Sequence, residues 1–181
     1  VFYVVGMLML KRASEVGVGV WRATFITNWA CALIFVPWWI YQGWAPVGLA
    51  MYWQPVVNAV VFFIAQVIMF LAVTRGDVSV ATPVMGLKVI SVALFSTLLL
   101  SEGVPWQWWC GAGLSAAAVG LLNIGGAAGS RKVGQTILLA STSSVLFALC
   151  DVLLQKWSPA WGPGNFFPPM YMCVGLYSIV L

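Results

Sequence analysis

Residues 54–74, QPVVNAVVFFIAQVIMFLAVT, contain no charged side chain. Crossing the hydrocarbon of a bilayer takes about 20 mainly apolar residues, so this stretch has the length of a spanning helix rather than of a buried core helix. It is not a lone anchor. Working outward, the apolar pattern predicts a partial helix at 1–10 and further helices at 22–42, 78–101, 106–124 and 134–156, with a last one from 166 onward.

Composition leads to the same class. Charged residues make up 7% of the chain and hydrophobic ones 62%, against about 25% charged in ordinary soluble domains, so no water-facing surface can be assembled from this sequence. The fold class expected is all-α: a polytopic transmembrane bundle of about seven helices, the first and last truncated. Connections are short and hold turn formers, namely Gly43 with Pro46, Gly76 with Asp77, Gly103 with Pro105, Gly125 to Gly129, and Gly162 to Gly164. Trp38, Trp39, Trp44, Trp53, Trp106, Trp108, Trp109, Trp157 and Trp161 gather near the helix ends, where amphipathic rings sit at the headgroup level. The opening VFYVVGMLML lacks a basic n-region and a cleavage site, so it reads as the tail of a spanning helix and not as a signal peptide.

The net charge of +4 falls mostly in connections and forms no dense basic face, which excludes a nucleic-acid footprint. Cys31, Cys110, Cys150 and Cys173 lie in apolar stretches without paired spacing and read as buried free thiols. Histidine is absent, removing the commonest metal ligand and general base. Neither a metal nor a cofactor is expected, and enzymatic chemistry is not. Glu15, Asp77, Glu102 and Asp151 stand isolated along the chain, whereas a membrane-embedded lipid-modifying enzyme would need paired acids.

An internal repeat appears at an offset of 145 residues. Phe2 meets Phe147, Leu8 meets Leu153, Lys11 meets Lys156, and the GVG of Gly17 and Gly19 meets the GPG of Gly162 and Gly164. Five helices separate the copies, an odd number, so equivalent helices cross the membrane in opposite directions. Inverted repeats of this kind are common in secondary transporters.

The stretch TRGDVSVATPVMGLKVISVALFSTLLLSEGVPWQWWCGAGLSAAAVGLLN, residues 74–123, resembles the third-to-fifth helix region of the drug/metabolite transporter superfamily, EamA-like branch. The likeness rests on a small-residue turn, Pro83 inside the fourth helix, Glu102 closing that helix and a Gly/Ala-rich fifth helix. Arg22 at the head of the second helix and SSVLFALCDVLLQKW at 143–157 extend it. The resemblance implies ten helices in two inverted five-helix halves. Residues 1–124 would then be the first repeat, 125–133 the connection and 134–181 the start of the second repeat. It also implies transport of a small metabolite, amino-acid-like solute or drug by alternating access in the plasma (inner) membrane. Its partners would be the lipid bilayer and a small-molecule substrate, with a coupling proton or ion and a homodimer both left open. The alternative is a membrane scaffold without transport activity, using the small-residue stripe Ala112, Ala116 and Gly120 to bind another protein.

Polar groups inside the hydrocarbon are costly, which makes their depth informative. With side A defined as the face carrying the connections after helices one, three and five, Asn28 lies about 9 Å in, Gln66 about 12 Å, Ser143 and Ser144 about 14 Å, and Lys88 about 15 Å. Asp151 comes out at about 25 Å, so a direct pair with Lys88 requires the lysine stem to bridge about 10 Å along the normal. Lys88, Asp151, Asn28 and Gln66 are the candidate substrate-binding residues. Ser143 and Ser144 are expected to bond to carbonyls of their own helix. Lys11, Arg12, Arg22, Arg131 and Lys132 on side A place that side in the cytoplasm by the positive-inside rule. The resemblance implies the opposite orientation.

Overall fold

The computed structural model describes residues 2–43, 47–75, 84, 86–100, 105–107, 109–111, 113, 114, 117, 131–162 and 164–180. Regular structure among them is helical throughout. The helices are α1 (Phe2–Glu15), α2 (Val20–Gln42), α3 (Trp53–Arg75), α4 (Leu87–Leu99), α5 (Arg131–Trp161) and α6 (Phe167–Tyr177), with one 3-10 turn at Leu49–Met51 before α3. Residues 106, 107, 109–111, 113, 114 and 117 are also helical, within the span predicted for a fifth helix. Three stretches, Trp21–Tyr41, Leu49–Thr74 and Gly134–Trp161, are long and apolar enough to cross a membrane, and Leu87–Leu99 is a shorter apolar helix. Pro83, Asp77, Glu102 and the stripe Ala112, Ala116 and Gly120 lie outside the described residues, as does most of the 125–133 connection.

Helix α3 is the hub of the bundle. It packs most extensively on α5, then on α6, and more lightly on α2 and α1, while α4 leans on α5 and α2 on α6. Apolar transfer does not hold helices together in lipid, because the acyl chains are as apolar as leucine; close packing and interhelical hydrogen bonds do. Two clusters supply that packing. Met69, Ala72 and Val73 of α3 meet Ala140 of α5 and Val84. At the other end, Ala59 of α3 meets Cys150 and Trp161 of α5, Phe166, and Met170 and Val174 of α6. The outward side of α2 bears Ile26, Leu33, Ile34, Ile40 and Tyr41, all exposed and suited to acyl chains.

Hydroxyls inside the spans mostly close on their own helix. Thr27, Thr74, Ser91, Thr97, Thr142 and Ser144 each donate to the carbonyl four residues earlier. Ser143 departs from the expectation: its Oγ donates to the carbonyl of Ala65 at 2.9 Å, tying α5 to α3. The neighbouring helix offers a carbonyl at van der Waals range, and the hydroxyl takes it.

Several boundaries shift from the prediction. Helix α1 continues past residue 10 to Glu15, because Lys11, Arg12 and Ala13 are good helix formers and nothing stops the helix before Gly17, which turns it off at φ 91°. The lysine expected in a loop therefore belongs to α1, and its Nζ donates to the Val73 carbonyl near the end of α3 at 3.3 Å. Helix α5 runs from Arg131 to Trp161 rather than 134–156, with Pro159 inside its last turn. It ends at Gly162, φ 77°, the position that the 145-residue offset pairs with Gly17. Helix α4 is described over Leu87–Leu99, and residues 78–83, where it was expected to begin, lie outside the described residues.

Two residue-level expectations are corrected here. Trp161 is not part of an interfacial belt: it is fully buried and its indole Nε1 donates to Gln54 Oε1 at 2.9 Å. Trp38, Trp53, Trp106 and Trp109 do remain exposed. The four cysteines are free, but Cys110 is exposed, on the same helical segment as the exposed Trp109 and Leu114; only Cys150 is fully buried.

Candidate functional site

Lys88 occupies the first turn of α4, the helix that packs along α5. Its Nζ lies 2.7 Å from Asp151 Oδ2, a direct ion pair whose side chains are 36% and 48% exposed. Depth counted along straight parallel helices set these residues about 10 Å apart. That count neglects helix tilt, and the flexible four-carbon stem of lysine covers what remains.

Asp151 and Phe147 lie one turn apart on the same face of α5. Lys88 Nζ stands 5.7 Å from the centroid of the Phe147 ring, so one ammonium is held by a carboxylate and a π face together. Phe147 continues a row of rings. It meets Phe62 of α3 edge-on at 5.6 Å, and Phe62 meets Tyr171 of α6 edge-on at 5.8 Å. Tyr171 stacks on Phe35 of α2 at 4.9 Å, and Phe35 stacks on Phe167 at 5.7 Å. Four helices contribute to this row, and its first ring, Phe147, supports the ion pair.

Asn28 on α2 and Gln66 on α3 are buried, at 1% and 7% exposure. The Asn28 Nδ2 donor and the Gln66 Oε1 acceptor have no hydrogen-bond partner among the described residues. A buried polar atom left unpaired costs about 1–3 kcal/mol, so these two amides are ready for a ligand or for water. No hydrogen bond among the described residues joins either of them to the ion pair. The structure thus brings Lys88 and Asp151 into contact and leaves Asn28 and Gln66 as separate buried amides. The Ser143 bond to Ala65 fixes α5 against α3 beside Gln66.

A second set of polar groups went unread in the sequence. Gln54 accepts from Trp161, and Asn58, fully buried, donates weakly to Met170 Sδ at 3.5 Å while its Oδ1 stays unpaired. Their spacing of four residues on α3 was the available signal, one polar stripe on an otherwise apolar helix. An open apolar groove of about 300 Å³, lined by Val60, Phe63, Tyr177 and Val180, includes none of the four candidate residues. No group of three or more metal-ligating side chains occurs among the described residues.

Neither the curated proteins nor the solved structures searched gave a match. The family model described as "EamA-like transporter family" matches residues 1–124, which takes in α1 to α4 and Lys88 but ends before Asp151. With more than half of the chain matched, and with helices able to span a bilayer, this is an integral membrane protein that belongs to the EamA-like transporter family.

Proposed function

We propose that the chain forms part of a secondary transporter that moves a small metabolite, amino-acid-like solute or drug across the plasma (inner) membrane by alternating access. The two moving parts are inverted halves, the first over residues 1–124 and the second beginning at 134. One observation carries the reading. The Lys88–Asp151 ion pair joins a helix inside the family-matched region to a helix beyond it, at a half-exposed position. Ion pairs with this exposure are worth about 0–1 kcal/mol in water, weak enough to open in each cycle. In hydrocarbon, an unpartnered lysine costs about 2.5–3.5 kcal/mol on insertion scales, which favours a wet cavity or a fixed partner around it. The pair supplies the partner. The unpaired amides of Asn28 and Gln66 add hydrogen-bonding capacity on the helices that face the second region.

Uptake from a mixed metabolite pool into proteoliposomes, read by mass spectrometry against empty liposomes, tests the reading. Selective accumulation by the wild type that Lys88→Met reduces at least about tenfold, a barrier change near 1.4 kcal/mol, is the expected result. Folded protein that accumulates nothing, and that co-purifies with a fixed partner, points instead to a scaffold. Unchanged uptake by Lys88→Met removes the ion pair from the site.

A further inference from the structure

Lys88 Nζ shows what the α5 surface around Asp151 accepts. The ammonium lies 2.7 Å from a carboxylate oxygen and 5.7 Å from the centroid of a phenyl ring one turn away. A carboxylate beside a π face is the chemistry that recognises organic cations: the charge pairs with the acid, and the apolar body packs on the ring. Phe62, edge-on to Phe147, extends the apolar wall beyond that ring. The only other carboxylate among the described residues, Glu15, is exposed at the end of α1, so Asp151 is the anionic group of this site. About half of its side chain is accessible, with Lys88 Nζ on Oδ2.

We infer that Asp151 and Phe147 form a recognition site for a primary ammonium carried on an apolar or aromatic body, and that Lys88 is its internal occupant. The inference rests on the transporter reading and deepens it by naming the substrate class. Lys88 fills the site when it is empty and swings aside on its flexible stem when an ammonium solute arrives. The lysine then has two separable effects. As a competitor it weakens binding; as the counter-ion of Asp151 it keeps the empty site neutral while the halves exchange sides. An occupant that fills the site about nine-tenths of the time weakens apparent affinity about tenfold.

Phenethylammonium is the probe. Its uncharged isostere 2-phenylethanol and the anion 3-phenylpropionate are the controls, with binding to the purified intact protein measured by equilibrium dialysis. Phenethylammonium should bind the wild type, bind Lys88→Met about tenfold tighter, and bind Phe147→Leu about twofold to fivefold weaker. Asp151→Asn should lose it, Asp151→Glu should keep it, and neither control should compete. Binding of 3-phenylpropionate that Lys88→Met abolishes overturns the inference, since Lys88 would then be the recognition group. So does phenethylammonium binding that ignores both Phe147→Leu and Asp151→Asn, or its absence from wild type and Lys88→Met alike. Should Asp151→Asn fail to fold, the Phe147→Leu, Asp151→Glu and control results decide. Uptake is read separately: solute accumulation without ammonium binding leaves the transporter reading standing alone, and ammonium binding without any uptake does the reverse.

Discussion

Gln66 is nearly buried, and its Oε1 has no partner among the described residues. A residue kept for stability would not carry an unmet acceptor, because replacing such a group with an apolar side chain of similar shape is close to neutral or stabilising. Gln66→Leu should therefore leave thermal unfolding in detergent unchanged or raise the midpoint, while lowering proteoliposome uptake about tenfold or more. A large loss of stability with normal uptake would show that the amide is interhelical glue. Residues of this kind stood out in the sequence because a polar letter in an apolar run is visible by itself. Phe35, Phe62, Phe147 and Tyr171 did not stand out. Each is an ordinary apolar letter in its own helix, and only the packing of α2, α3, α5 and α6 turns them into a row. The Lys88–Asp151 contact was half visible: both residues were singled out, but tilt and the reach of a lysine are not written in residue spacing.

The helices themselves were largely recoverable, since α2 and α3 begin and end within two residues of the apolar pattern. The errors fall at ends, where sequence signals compete. Charged Lys11 and Arg12 look like a loop by polarity and like helix by propensity, and propensity prevails until Gly17. The far end of α5 was placed at 156, yet the helix persists to Trp161, which is locked by Gln54 on α3. That lock can be tested. Trp161→Phe keeps the ring contacts with Tyr52 and Phe166 but deletes the indole donor, leaving Gln54 Oε1 buried and unpaired. The expected cost is about 1–3 kcal/mol of unfolding free energy, measured by denaturant titration in mixed micelles. Replacing Gln54 with Leu in the same background should recover most of it, because no acceptor is then left without a donor. A tryptophan anchored only at the interface would show neither effect. Gly162→Ala offers an independent check on the same end: a Cβ would find room, its nearest neighbour being Asn165 Nδ2 at 3.7 Å. Any loss, of about 1–2 kcal/mol, should therefore come from forcing alanine to φ 77°.

For the whole molecule, the scarcity of charge identified a membrane bundle, and the family match to residues 1–124 supports the same class. How the two regions engage was beyond reach, because contacts between α3 and α5 or α4 and α5 depend on which faces meet, and a helix that is apolar all round declares no face. The Lys88–Asp151 pair is the point at which this engagement can be tested by charge alone. If the pair closes and opens as the halves exchange sides, Lys88→Asp and Asp151→Lys should each put two like charges at contact distance and hold that junction apart, lowering uptake to near background. The double exchange restores opposite charges with the donor on α5, beside Phe147. It should regain a measurable fraction of transport, on the order of a tenth of wild type, and the double-mutant cycle should return a coupling of about 0.5–3 kcal/mol. Independent roles for the two residues predict additive losses and no recovery. Binding of the ammonium probe separates the remaining cases. The exchanged protein moves the anion from α5 to the first turn of α4 and places a cation beside Phe147, so it should transport without retaining the wild-type preference for phenethylammonium over 3-phenylpropionate. Recovery of uptake with that preference intact would locate the recognition of charge elsewhere and leave the ion pair as a latch between the two regions.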